Sequence, residues 1–230
     1  MVSMRKILKW ARNLILLFLG SSILAVCVLK FVPVYFTPLM FTRLFEQAAD
    51  GESLKLKHHW VPMSKISHNM PQAVIASEDN LFMEHHGFDF KQMKLAFKER
   101  KRRVRGASTI SQQTAKNVFL WQGRSYIRKG LEAYFTLLIE GIWGKERIME
   151  VYLNSIEMGD GIYGVEAVSE ANFDKSAADL TKRDAALIAA TLPNPRRFSS
   201  AHPSNYILQR RAKIASIMRK IESVNMGAGR

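Results

Sequence analysis

The sequence predicts an all-α, mainly helical body carried on one N-terminal transmembrane helix. Three observations predict it. Residues 13–36 hold a single charge, Lys30, among mostly Leu, Ile, Val, Phe and Ala. Beyond Pro38, apolar residues recur at helical spacing and alternating strand runs are scarce. At 230 residues the chain suits one domain plus an anchor, not a large multidomain assembly.

The anchor comes first. Residues 1–12 carry Arg5, Lys6, Lys9 and Arg12 and no acid. About 20 apolar residues cross a bilayer core at the helical rise of about 1.5 Å per residue. Residues 13–36 are therefore read as the transmembrane anchor, with the basic tail 1–12 held in the cytoplasm and 37–230 outside it. A cleaved signal peptide would have a shorter apolar core and a small-x-small cleavage site, and none stands out. A lipobox at Cys27 would want a small residue where Val26 stands.

The body reads as a string of helices. Asn69 can cap one that has Pro71 in its first turn and runs through Ala73, Val74, Ala76 and Ser77. Asp89 can cap a second with Phe90, Met93 and Phe97 on one stripe, and Ser108 a third running to Val118. Ser125 can open a fourth through Leu131, Phe135, Leu138 and Ile139. Lys145 to Leu153 makes a fifth, and Thr181 to Leu192 a sixth, stopped by Pro193 and Pro195. A final helix spans Ser204 to Ser223.

Composition narrows the chemistry. One cysteine excludes an internal disulfide framework, and no HExxH occurs among the six histidines. The net charge is +14, and removing the five cations of residues 1–36 still leaves +9 on the body. Such a balance predicts a polyanionic partner. Facing outward, the body would meet a lipid-linked or envelope substrate and membrane lipids, and no nucleic acid.

Four blocks are candidates for a site. Glu78 and Asp79 end an apolar helix ahead of a Gly-containing turn. A carboxylate emerging there is partly desolvated and suited to proton transfer; the plain alternative is an acidic helix end. Gly106 to Asn117 opens with a glycine and a cap residue, so free N–H groups at the helix start would favour anions. Gln112 and Lys116 share a face there, and a solvated polar face is the alternative. Arg124, Arg128 and Glu132 are spaced by four with Lys129 beside them, as in a binding stripe or an ordinary ion pair. Lys145 to Asn154 reads equally as an amphipathic helix. The run Lys98 to Arg105, with six cations, is a solvated face or a contact for anionic headgroups.

Together the four blocks resemble the family 51 peptidoglycan glycosyltransferases, found alone or fused in class A penicillin-binding proteins. Glu78, Asp79, Phe82, His85 and Gly87 match E-D-x-x-F-x-x-H-x-G. Gly106, Ser108, Thr109, Ile110, Gln112, Gln113, Lys116 and Asn117 match G-x-S-T-I-x-Q-Q-x-x-K-N. Arg128, Lys129 and Glu132 match R-K-x-x-E, and Lys145, Ile148, Glu150, Tyr152 and Asn154 match K-x-x-I-x-E-x-Y-x-N. Order and spacing agree over 78–154, and the L-P-x-P ending of Ala185–Pro195 is similar to the family's last block, giving a motif core of 70–195. Asn172-Phe173-Asp174-Lys175 stands where members often carry an aromatic pair and a glycine. No S-x-x-K or K-T-G follows, so the resemblance is to the monofunctional form.

The resemblance implies a lysozyme-like helical fold and a transferase polymerising glycan from lipid II. The GlcNAc 4-hydroxyl of the acceptor attacks C1 of the donor, inverts it, and displaces the undecaprenyl pyrophosphate. Glu78 is implied as general base. Glu132 is implied as the second carboxylate, acting at the donor phosphates directly or through a divalent cation, Mg or Mn; no organic cofactor and no protein metal site are implied. Asp79, Phe82, His85, Ser108, Thr109, Gln112, Gln113, Lys116, Asn117, Arg124, Arg128, Lys129 and Lys145 are implied to bind substrate. The partners implied are lipid II, the growing strand and other cell-wall synthesis or division proteins, at the bacterial cytoplasmic membrane. Two rivals are an anchored lytic enzyme that cleaves glycan and a scaffold that binds glycan or lipid without chemistry. A basic third block is idle in cleaving a neutral glycosidic bond, which counts against the first.

Overall fold

The structure, a computed structural model, describes residues 3–98, 108–123, 125–222, 224 and 226–227. Helix α1 (Met4–Leu29) is long and apolar enough to cross a membrane. It begins inside the basic tail, because Arg and Lys are themselves good helix formers. It ends ahead of Pro33, which disfavours helical geometry in the residue before it. Leu14 to Leu17 and Leu24 face outward, while Ser22 and Val26 are buried.

The second half of α1 docks on the body. Ser22 Oγ and the Tyr134 hydroxyl lie 2.7 Å apart, and Trp143 Nε1 donates to the Val26 carbonyl at 2.7 Å. Arg147 donates to the Leu29 carbonyl at 2.8 Å and to that of Val32 at 2.6 Å. The last carbonyls of a helix lack intrahelical partners and carry partial negative charge, so an arginine there supplies both hydrogen bonds and a favourable charge.

Helix α2 (Pro38–Ala49) has Pro38 at its first position and Thr37 as cap, accepting from the Met40 N–H at 3.3 Å. Strand β1 (Lys57–His58) follows, then α3 (Asn69–Glu78). Asn69 does not cap α3. Its amide donates to Ser67 Oγ and to the Leu180 carbonyl, both at 3.1 Å, tying the helix start to the chain before α9 instead. Asp89 opens α4 (Phe90–Lys98) as expected, accepting from the Gln92 N–H at 2.8 Å. The Phe97 side chain of its stripe, and the basic run from Lys98, lie outside the described side chains.

The cap of α5 (Ile110–Phe119) is Thr109, not Ser108. Thr109 has glutamine three residues on, so hydroxyl and amide satisfy each other's backbone N–H groups in a capping box; Ser108 has only Ser111 there. Ser125 caps α6 (Tyr126–Ile142), and Gly144, with φ +76°, turns the chain into α7 (Gly144–Ser155). Strands β2 (Glu157–Gly159) and β3 (Ile162–Tyr163) then form a small sheet of order β1-β3-β2, with β1 parallel and β2 antiparallel to β3. After α8 (Val165–Phe173), Thr181 and Asp184 make a second capping box for α9 (Lys182–Thr191). Ser204 caps α10 (Asn205–Met218). This helix stops before Ser223 because buried Gln72 captures the chain beyond it, donating to the Glu222 carbonyl and accepting from the Val224 N–H, both at 3.1 Å.

Helix α3 runs through the centre of the body. Met70 to Ala76 are all buried, as expected of a helix apolar on every side. Alanines 185, 186, 189 and 190 of α9 are fully buried, and small residues there let helices pack closely. Ile148, Met149, Val151, Tyr152 and Leu153 of α7 belong to the same core. The last residue of this buried rod is Glu78, so the core itself delivers a carboxylate to its edge.

Candidate active site

Glu78 is held at the end of α3 by groups from several elements. Ser77 Oγ donates to Oε1 at 3.0 Å, and Gln113 Nε2 reaches Oε2 at 3.4 Å. Arg210 of α10 stands 3.8 Å from Oε1. The side chain keeps 15% of its surface open, enough for a substrate hydroxyl to reach it. Burial pushes its carboxyl above the usual carboxylate range, against the lowering pull of Ser77, Gln113 and Arg210; Asp79 adds to the rise. Behind it the buried Tyr152 hydroxyl donates to Gln113 Oε1 at 3.4 Å. Burial first, then the neighbouring Glu78 and Asp79, raise that phenol well above its usual value, so it stays protonated.

A line of cations leads away from Glu78. Only Gln113, Lys116 and Phe119 of α5 are partly open to solvent, a repeat of three that marks one helical edge. Lys116 therefore lies about 4.5 Å further along the axis than Gln113. Its ammonium makes no hydrogen bond or ion pair among the described residues. Burial lowers its pKa; the Glu132 charge opposes this, while Arg128, Lys129 and Arg43 reinforce it. On α6, Arg128 donates to Glu132 Oε2 at 2.9 Å and Lys129 bonds the other oxygen. Glu132 is almost wholly buried, Lys129 half open. Arg128 Nε is buried without a partner among the described residues.

Other predicted site residues form a scaffold beneath this trough. Asp79 accepts from His85 Nε2 at 3.0 Å and from the Ile110 N–H at 3.0 Å. The Gly87 N–H donates to His85 Nδ1 at 3.1 Å, which places the ring proton on Nε2. The Thr109 hydroxyl donates to the Gly87 carbonyl at 2.7 Å, and Gln112 closes the capping box. Asp79 sits at the positive end of α5. The N–H groups of Ile110 and Gln112, expected to be free for an anion, are taken by Asp79 and Thr109. Asp79, Thr109, Gln112 and Asn117 are buried, and Phe82 is completely so. Asp79, Thr109 and Gln112 bond the turn after α3 to the start of α5. Lys145 is also engaged within the protein. It donates to Glu140 at 2.7 Å and lies 4.5 Å over the Phe82 ring. Ser108 is exposed without a described bond. Arg124, with Gly106, lies outside the described residues.

The motifs did not single out Arg43, Ser77 or Arg210. Arg43 of α2 donates to Glu157 at 3.1 Å and to Glu46 at 2.5 Å, and lies within electrostatic reach of Lys116. It also lines an open cleft of about 470 Å³ with Glu52, Asp160, Asn194, Arg196 and Arg197. Arg43 and Arg210 approach from elements remote from the four blocks, whereas Ser77 sits beside the first block as an ordinary helix residue.

Among the described residues, no group of three or more His, Cys, Asp or Glu is placed to hold a metal ion. Both oxygens of Glu132 are already bonded by Arg128 and Lys129. This donor set does not fit a cation held by protein oxygens alone. It fits the binding of an anion by cationic side chains.

Comparison with known proteins agrees with the geometry. The profile of the family described as Transglycosylase matches residues 46–219. The chain is 59% identical over 216 residues to a biosynthetic peptidoglycan transglycosylase of Bacteroides thetaiotaomicron, covering 93% of this chain and 87% of that protein. A protein of the same description from Bdellovibrio bacteriovorus is 52% identical over 208 residues, covering 90% and 83%. One from Pseudomonas syringae pv. syringae is 47% identical over 220 residues, covering 95% and 93%. The match spans the anchor-proximal helix, the buried rod ending at Glu78 and the cationic trough alike, and the chain belongs to the transglycosylase family.

Proposed function

We propose that this chain polymerises peptidoglycan glycan strands from lipid II, as a single-pass membrane enzyme with its tail in the cytoplasm and its body outside. One observation carries the mechanism: a desolvated carboxylate, Glu78, stands at the head of a line of cations on α5 and α6. The acceptor's GlcNAc 4-hydroxyl gives its proton to Glu78 as its oxygen bonds to C1 of the donor sugar. The bond from C1 to the pyrophosphate oxygen breaks in the same displacement, with inversion, and the lipid pyrophosphate leaves. A base whose pKa is raised toward the working pH takes that proton more readily.

Lys116, Arg128 and Lys129 meet the charge that develops on the leaving pyrophosphate. Gln113 links the two ends, since its amide holds Glu78 while Lys116 follows on the same edge. Glu132 acts here as the counter-charge that keeps Arg128 and Lys129 aimed. The apolar flank of α1 and the exposed Tyr35, Phe36, Phe41 and Phe45 are offered to membrane lipid. Enzyme and lipid-held substrate then meet in two dimensions, which raises their effective concentration. The growing strand and other cell-wall synthesis or division proteins are the remaining partners of this reading.

The test is polymerisation of labelled lipid II by the full-length protein beside Glu78→Gln. Polymer from the wild type alone supports the reading. No polymer from a folded wild type, with lipid II bound unchanged, would sink it in favour of a scaffold.

A further inference from the structure

Arg210 lies on the last helix, beyond the four sequence blocks, yet its guanidinium reaches two other helices. Nε donates to the Ala190 carbonyl at 3.0 Å, in the last turn of α9. Nη2 donates to Ser77 Oγ at 3.2 Å. That hydroxyl in turn donates to Glu78 Oε1 at 3.0 Å, and Nη2 itself stands 3.8 Å from the same oxygen. A helix-capping arginine would need only the first of these bonds. Because the guanidinium is planar, fixing Nε on Ala190 also fixes where Nη2 points. It points at the one hydroxyl that holds the carboxylate.

We propose that Arg210, acting through the Ser77 hydroxyl, is a positioning residue that fixes the Glu78 carboxylate for proton transfer from the acceptor. The inference rests on the base role proposed above for Glu78. The other groups facing that carboxylate do not duplicate Arg210. Asp79 follows it on the chain and repels it, Tyr152 of α7 is a protonated phenol, and Gln113 of α5 is neutral. Helix α9 contributes only backbone, through the Ala189 carbonyl 3.2 Å from Ser77 Oγ. Arg210 is thus the cation among the described residues that offsets the desolvation of Glu78. The α3–α9–α10 junction acquires a purpose beyond packing, since it couples the fold's last helix to the reacting group.

The experiment is the pH profile of kcat/KM for lipid II polymerisation by the full-length protein, with thermal midpoints measured alongside. Removing a cation raises the pKa of a nearby carboxylate, so Arg210→Gln should move the acid limb up by about one pH unit. That is about a tenfold loss below the limb, largely recovered at higher pH. Arg210→Lys, which keeps the charge, should return the limb most of the way. Ser77→Ala should move it in the same direction by less, and it carries the test if Arg210→Gln does not fold. An unmoved limb in these variants overturns the proposal. A lowered thermal midpoint alone would mark Arg210 as a helix cap, and a raised KM alone as a substrate contact. Glu78→Gln is the separating control: if it still polymerises, the base assignment itself fails, however the Arg210 variants behave.

Discussion

Replacing Glu140 by alanine removes one half of a buried ion pair. Glu140 accepts from Lys145 Nζ at 2.7 Å and from the Ser111 hydroxyl, and the two charged side chains are only 8% and 16% exposed. Phe82 closes the site from below. Without the carboxylate, the Lys145 ammonium is left in a largely dry site with an aromatic face as its remaining neighbour. Breaking a buried pair from one side costs about 3–5 kcal/mol, whereas removing both charges together is close to neutral. A domain of about 150–250 residues shifts by about 2–4 °C per kcal/mol. Glu140→Ala should therefore lower the thermal midpoint by about 6–20 °C. The double variant Glu140→Leu with Lys145→Met should stay within about 2 kcal/mol of the parent. Circular dichroism melting of the detergent-solubilised protein reads both. If Glu140→Ala melts within about 2 °C of the parent, the pair does not hold this junction.

Other consequences follow from the same geometry. Gly87 adopts φ +90°, and a Cβ there would sit 2.7 Å from Thr136 Cγ2 on a fully buried residue. Gly87→Ala should cost about 1–3 kcal/mol, read as a lowered melting midpoint, because strain and clash add. Ser22→Ala and Tyr134→Phe each delete the same contact between anchor and body. A double-mutant cycle on melting should give a coupling of about 0.5–1.5 kcal/mol, and strict additivity would deny the docking. Lys116 titrates below the usual lysine value because it is buried, so reactions needing its charge fade as pH rises through that lowered pKa. Glu78 titrates above the usual range and must be ionised, so it sets the acid limb of a bell. Lys116→Met should cut the rate about 10²–10³-fold and remove the alkaline limb while leaving the acid limb in place. An alkaline limb that survives Lys116→Met would contradict that role.

Much of the fold is written in local chemistry. The caps Asp89, Ser125, Thr181 and Ser204 are legible because each is a short polar residue at the start of a periodic apolar run. Helices α2 and α8 are less legible. The first carries polar residues on several sides, with Arg43 paired to Glu157 of β2 and Gln47 accepting from the Lys55 N–H, and the second mixes small and charged residues over only nine positions. Strands of two or three residues carry no readable period. The choice of Thr109 over Ser108 depended on which residue lies three positions on.

The site divides along burial, which a motif does not record. Glu78, Gln113, Lys116, Arg128, Lys129 and Glu132 line or adjoin the trough, while Asp79, Phe82, His85, Thr109 and Gln112 hold two helices together under it. In the sequence both groups are equally prominent. Arg210 was invisible because its partners, Ala190 and Ser77, are brought to it only by the packing of α3, α9 and α10.

The central claim is that Glu78 takes the acceptor's proton beside a cationic cradle for the leaving pyrophosphate. Its most direct test is single-turnover polymerisation of labelled lipid II by full-length wild type and Glu78→Gln, with lipid II binding measured on both. The account predicts polymer from the wild type, loss of turnover by at least about 10²-fold in Glu78→Gln, and unchanged binding. Equal turnover by the two proteins would contradict it.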